Sequence, residues 1–259
     1  MNKKQTHATG LSGCPECNGT GWVRLSKSGT LGVVRCDCFR EARVKRLIAN
    51  ARIPARYAHC ELQNFELNER FTTKSLEFAK LAAEKFVDEF PSATPVGLLF
   101  MGQVGVGKTH LAVGIIKALI RRKAIQCMFR SFPELLKEIQ NSYSPISESS
   151  ELSLLSPVLD AEVLVLDELG SQNPSAWVRD TMSYILNYRY SENKVTIFTT
   201  NLLDHENPMD TNKGVFYSLT DRIGPQMRSR LYEMCKTILM AGNDFRQHMM
   251  QPEPFRRGG

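Results

Sequence analysis

The stretch Val96-Gly-Leu-Leu-Phe-Met101-Gly102-Gln103-Val104-Gly105-Val106-Gly107-Lys108-Thr109-His110 sets an apolar run of strand length before a glycine-rich loop, and Leu111 to Ile120 continues as an apolar helix. Glycines at 102, 105 and 107 let backbone N–H groups converge on an anion with no Cβ in the way. The helix that starts there adds the positive end of its dipole. Lys108 is spaced to reach the β- and γ-phosphates of a nucleotide, and the Thr109 hydroxyl to bind Mg²⁺. A chance glycine turn would not come with the strand before it, the helix after it and Lys-Thr in register. A strand apolar throughout suits burial on both faces, which places this loop in a parallel α/β sheet.

The alternation holds on both sides of the loop. Upstream, Phe71 to Phe90 has the apolar spacing of an amphipathic helix that stops before Pro91. Downstream, Ile125–Phe129, Ala161–Leu166, Val195–Thr199 and Thr237–Met240 read as strands. Phe132–Gln140, Pro174–Tyr190 and Tyr217–Glu233 read as helices, with Asn141–Ser150 a polar, serine-rich loop. Strands separated by helices imply a five-stranded parallel sheet with helices on both faces.

Three further segments carry chemistry. Val163-Leu-Val-Leu166-Asp167-Glu168 is an apolar strand ending in two acids. Asp167 is suited to hold Mg²⁺ through water and Glu168 to polarise an attacking water, although a strand ending in Asp-Glu can also serve only to cap a helix. Val195-Thr-Ile-Phe-Thr-Thr200-Asn201 ends in an amide that can place the lytic water or sense the γ-phosphate; the plainer alternative is a turn-forming Asn. Asp221-Arg222-Ile-Gly-Pro-Gln-Met-Arg228-Ser-Arg230 carries three arginines. These are either a solvated helix face or a source of the cation that the developing charge on the γ-phosphate needs.

In their order, the phosphate loop, the Leu-Asp-Glu strand, the Thr-Thr-Asn strand, the Ser-Arg-Leu helix and the closing Gly242-Asn-Asp-Phe-Arg246 resemble the AAA+ ATPases. They are most similar to the DnaC/DnaI helicase loaders and the related IstB transposition ATPases. The segment Ile53-Pro-Ala-Arg-Tyr57 is similar to these loaders as well, so the resemblance covers roughly 53–246. It implies an ATP-driven homo-oligomer with sites between subunits, Asn201 as sensor 1, Arg230 as arginine finger with Arg228 as the other candidate, and Arg246 as a sensor-2-like contact. The resemblance also places residues 102–110 around the nucleotide. Only 13 residues follow Arg246, too few for the helical lid of most AAA+ proteins, and the loaders and IstB proteins also lack that lid.

The N-terminal part has a different character. Residues 1–60 hold 11 lysines and arginines against 3 acids, and the remainder 22 against 24, so all of the net +6 originates there. This bias favours nucleic acid or an acidic protein surface as partner, or else marks a solvated basic face. Cys14-Pro-Glu-Cys17 and Cys36-Asp-Cys38 flank two short β-like runs, Trp22–Leu25 and Leu31–Val34, and a basic helix from Phe39 to Ala51 follows. In a reducing compartment two thiolate pairs fit tetrahedral Zn²⁺ better than disulfides, the alternative being reduced, metal-free thiols. The Cys-Pro-x-Cys-x-Gly-x-Gly stretch resembles one half of the zinc-binding repeat of DnaJ chaperones. Trp22 and Phe39 are candidates for stacking on single-stranded DNA or for packing the metal site. In the resemblance to helicase loaders the region 132–150 can touch single-stranded DNA, but here Lys137 is its only cation and a surface connection is the simpler reading.

The expected organisation is therefore a zinc-binding and basic helical module over 1–52, an extended linker over 53–70, an AAA+ core over 71–250 and a loose tail over 251–259. No apolar run approaches the roughly 20 residues a spanning helix needs, and the first residues lack an apolar signal core, which points to the cytoplasm. The expected function is an ATPase of the DnaC type that binds ATP, Mg²⁺ and single-stranded DNA and delivers a replicative helicase. An IstB-like transposition helper is the alternative. A small-molecule kinase leaves the paired acids and the arginine cluster unexplained, and an adaptor with a dead ATPase site leaves Glu168 without a role.

Overall fold

The computed structural model describes residues 13–27, 30–67, 73–92, 94, 96–146, 149–173, 175–204 and 218–246. The expected tail over 251–259 and the helix start at Pro174 lie outside them. Five strands, β3 (Gly97–Gly102), β4 (Cys127–Ser131), β5 (Val163–Asp167), β6 (Val195–Thr200) and β7 (Cys235–Met240), form one sheet in the order β4-β5-β6-β3-β7, every pairing parallel. The strand with the phosphate loop at its end thus lies between β6 and β7, next to the Thr-Thr-Asn strand. Alternate residues of each strand feed two separate cores. Leu98, Phe100, Phe129, Val165 and Ile197 pack with α2 (Lys74–Glu89) and α3 (Lys108–Lys123). Leu99, Met101, Met128, Leu166 and Phe198 pack against α4 (Phe132–Ser142), α5 (Glu151–Asp160), α6 (Ala176–Ser191), α7 (Leu219–Ile223) and α8 (Pro225–Met234). Burial on both faces is why these strands read as continuous apolar runs.

Ahead of the core, β1 (Trp22–Lys27) and β2 (Thr30–Arg35) form an antiparallel hairpin, and α1 (Asp37–Asn50) follows it. The helix begins two residues earlier than its apolar pattern indicates, with Cys36 at its N-cap and Cys38 in its first turn. Its C-terminal side joins the sheet edge, where the Phe129 N–H donates to Ala51 O at 2.8 Å. Among the described residues no helix is long and apolar enough to cross a membrane.

Two expectations change, and one element has no counterpart in the sequence reading. The segment after Pro54 is not extended: a single 3-10 turn at Ala55–Tyr57 and further turns wrap it against α3, burying Cys60, Leu62 and Phe65. The helix expected over 217–233 is two helices. Gly224 sits at φ 85° and Pro225, with no N–H to give, starts the second at its N1 position, so the chain turns between them. Finally, α5 occupies a stretch that the serine-rich composition and Pro157 concealed; a reciprocal capping box between Ser150 and Ser153 starts it.

Candidate functional site

The phosphate loop is held open by its glycines. Gly107 at φ 94° has the Phe65 ring 2.5 Å from where a Cβ would stand, and Gly105 at φ 80° faces Asp244 in the same way, 1.8 Å from Oδ1. The Phe245 N–H donates to Gly105 O at 3.2 Å, so the closing segment lies on the loop itself. Lys108 is buried, and its ammonium donates to the carbonyls of Gly102 (2.7 Å) and Gln103 (2.6 Å). Burial, opposed by Asp167 and reinforced by the Arg246 charge, brings its pKa down to about 8. Val106 is buried beneath the loop, whereas Gln103 and Val104 are exposed. His110 turns its ring to the chain before the core, with Nε2 2.9 Å from both Glu61 O and Asn64 Oδ1.

The acids stand next to this cradle. Thr109 Oγ1 donates to Asp167 Oδ1 at 2.9 Å, which puts the two oxygen donors expected for Mg²⁺ side by side. Burial lifts the Asp167 carboxyl above its ordinary value, and hydrogen bonds from Thr199 and Thr109 oppose the rise. Glu168 is exposed at φ 62°, beyond the end of β5. Its position depends on Thr199, whose buried hydroxyl donates to Asp167 Oδ1 at 2.5 Å and accepts the Glu168 N–H at 3.1 Å. Thr200 Oγ1 completes the clamp by donating to Leu169 O at 2.8 Å. Asn201 follows, exposed, directly after the β6 residue that pairs with Met101. Nothing in the motif spacing singles out Thr199, because a threonine inside a strand is an ordinary β residue.

Residues ahead of the core contribute more than the sequence indicates. Lys117 donates to the carbonyls of Ala58 (2.6 Å) and Cys60 (3.0 Å) and pairs with Glu61, which also takes Arg121 at 2.6 Å. Burial works against ionised Glu61, but hydrogen bonds from Arg121 and Lys117 outweigh it and hold the carboxyl below its ordinary value. This clamp fixes Phe65 against the loop and brings Tyr57 near the acids. Burial, with Asp167 close by, pushes the Tyr57 hydroxyl up.

The two arginines of α8 differ in setting. Arg228 is 3% exposed and forms a forked pair with Asp204, at 2.5 and 2.6 Å, under the Tyr232 ring. Arg230 is half-buried, close enough to Tyr190 for its charge to be felt there, and forms no ion pair among the described residues. Arg246 is exposed, and its charge is felt at both Lys108 and Tyr57.

Separately, Cys14, Cys17, Cys36 and Cys38 bring their four sulfurs within 4.8 Å of one another. Cys17 Sγ lies 3.3 Å from Cys38 Sγ, and Cys14 Sγ lies 3.7 Å from Cys36 Sγ. Four thiolates on tetrahedral zinc stand about 3.8 Å apart, from Zn–S bonds near 2.3 Å. At Cys17, hydrogen bonds from Cys38 and the backbone of Gly21 outweigh burial and bring the thiol down to about 7. At Cys36 the Cys38 backbone N–H favours the thiolate, but burial and the neighbouring sulfurs push it up to about 12. The four cannot all ionise without a cation among them, and a divalent metal fits that requirement.

A family model described as IstB-like ATP binding protein matches residues 33–251. The phage-like element PBSX protein XkdC of Bacillus subtilis (strain 168) is 23% identical over 88% of this chain and 81% of its own length. The replicative helicase loader DnaC of Buchnera aphidicola subsp. Schizaphis graminum is 27% identical over 72% of this chain and 70% of its own. A crystal structure of the DnaC helicase loader superposes with a TM-score of 0.61 at 32% identity, covering 73% of this chain and 100% of that one.

Proposed function

We propose that this chain, which belongs to the IstB/DnaC-like AAA+ ATPases, is a helicase loader: an ATP-switched homo-oligomer that engages single-stranded DNA and delivers a replicative helicase to it. The observation that carries the choice of partner is the likeness to the DnaC helicase loader over the whole of that structure. The match to the IstB-like ATP binding proteins, taken with the motif order's resemblance to the IstB transposition ATPases, supports a second reading, a transposition helper with the same ATPase chemistry and a transposase as partner.

In this reading the backbone of residues 102–110 cradles the phosphates and Lys108 leaves its carbonyl partners for the β- and γ-oxygens. Thr109 and Asp167 would hold Mg²⁺, which supplies charge neutralisation at those oxygens. Glu168 orients and deprotonates the attacking water, Asn201 places it, and Arg246 reports on the γ-phosphate from the closing segment. Arg230 serves as the finger to a neighbouring subunit. Arg228 is already committed to Asp204, which favours Arg230 for that task. The four cysteines hold Zn²⁺ and give the N-terminal module its shape for gripping the helicase.

Size-exclusion chromatography of the full chain with its cognate replicative helicase, with ATP and Mg²⁺, tests the partner; co-elution is expected. Co-elution with a transposase, and none with the helicase, would select the second reading. For the chemistry, Glu168→Gln is expected to keep ATP affinity while turnover falls by about 10²- to 10⁴-fold.

A further inference from the structure

The hairpin of the cysteine module has a face that neither the metal cluster nor the nucleotide site uses. In the β1–β2 register Trp22 stands opposite Arg35 and Arg24 opposite Val33, so these four residues share one side. All four are exposed, Trp22 by 45% and Val33 by 64%. Val23, between Trp22 and Arg24, packs against the cysteines instead.

The Arg35 guanidinium lies over two aromatic rings. Its carbon lies 3.9 Å from the centre of the Trp22 ring and 4.3 Å from that of Phe39. Ring contacts engage the flat of a guanidinium, whose N–H groups lie in its own plane, where a planar fork can read a phosphate. The rings also restrict its rotamers beforehand, so less freedom is lost when a ligand binds. Arg40 follows Phe39 directly and, with Arg43, donates to the carbonyls of Arg122 (3.3 Å) and Ala124 (3.2 Å) at the end of α3. These contacts tie the basic helix to the ATPase core. Between residues 13 and 51 the acids are Glu16, Asp37 and Glu41, and among the described residues none of them forms an ion pair with these arginines.

We propose that this face binds single-stranded nucleic acid, with a phosphate in the plane of Arg35 and a base on the exposed part of Trp22. Charge alone would also fit an acidic protein surface, but carboxylates offer the indole no aromatic face to stack on, and a duplex keeps its bases stacked inside. A single strand presents phosphate and base face together. The site needs no ATP, since none of its residues touches the phosphate loop. It rests on the loader reading for the choice of DNA as ligand, and assigns the strand contact to the cysteine module rather than to the core.

The protein has two tryptophans, so Trp177→Phe leaves Trp22 as the sole indole in the full, zinc-loaded chain. Titration with oligothymidylate is expected to quench Trp22 emission equally with and without ATP, and the logarithm of the affinity should fall linearly with the logarithm of the salt concentration. In the native background, Arg35→Ala and Trp22→Ala should each weaken binding of a labelled strand about tenfold. Trp22→Phe, which keeps a ring, should recover most of that loss. Arg35→Lys, which keeps charge without the planar fork, should recover part. Zinc content and melting temperature identify any variant that fails to fold, and the two conservative variants then carry the test. Strand binding with Trp22 emission unmoved and affinity unchanged in these variants would overturn the inference while leaving the loader reading intact. Variants that lose helicase co-elution but keep strand affinity would overturn it in favour of a protein dock. If no form of the protein binds a strand, both readings fall.

Discussion

Lys108 rests on two loop carbonyls with its pKa near 8, and a triphosphate would draw it away and raise that pKa, because anions favour the ammonium. Below pH 8 the charge is already present and affinity should be flat. Above pH 8 binding has to take up a proton, so ATP affinity should fall by up to about tenfold per pH unit. Titrations with a fluorescent ATP analogue from about pH 7 to 9.5 check this, and Lys108→Arg, charged throughout, should lose the slope. Thr199 is the second case at this scale. Its hydroxyl holds Asp167 and the Glu168 N–H together, so Thr199→Val should lower kcat with little change in KM, and Thr199→Ser should restore it. A loss in Thr199→Ser with Thr199→Val unimpaired would make the methyl packing, not the hydroxyl, responsible. The phosphate loop and the acids could be read directly because ligand chemistry dictates residue type at fixed spacing. Thr199 could not, since its work depends on which strand lies beside β5.

Among the elements, the break between α7 and α8 decides what the arginines can do. Gly224 and Pro225 turn the chain so that Arg228 points inward to Asp204, whereas in the sequence the preference for Arg230 over Arg228 rested on the family resemblance alone. Arg228→Ala should therefore cost stability, about 3 kcal/mol for a buried pair that loses one partner, seen as a lower midpoint in urea. Arg230→Ala should leave that midpoint unchanged and reduce ATP turnover only at protein concentrations where subunits assemble. Buried Arg189 belongs with the structural arginines: it donates to the carbonyls of Val158, Leu159, Ala161 and Val195 and to Thr196 Oγ1, closing the C-terminal end of α5. The sheet and its helices were legible in the sequence because both strand faces are apolar. By contrast, α5 was hidden because serines at a helix start and a proline inside it are loop signals unless their caps are known.

Across the whole molecule, the cysteine cluster and the nucleotide cradle sit in separate hydrophobic clusters. Removing zinc with a strong chelator should release one metal per chain and abolish helicase co-elution, while ATP affinity stays within about twofold, since no cysteine ligand touches the cradle. The charge division between the N-terminal segment and the core was visible in the sequence. The way the chain from Pro54 to Phe65 clamps α3 through Lys117 and Glu61 was not, because backbone carbonyls are its main acceptors. The central claim is that an ATP switch in this chain places a ring helicase on single-stranded DNA. A closed single-stranded circle offers no end to thread, so the most direct measurement is the number of helicase rings bound per circle, with and without this protein and ATP. Loading that requires the protein, requires ATP and is lost in Lys108→Ala is the predicted result. Ring occupancy unaffected by the protein in any nucleotide state would contradict the account.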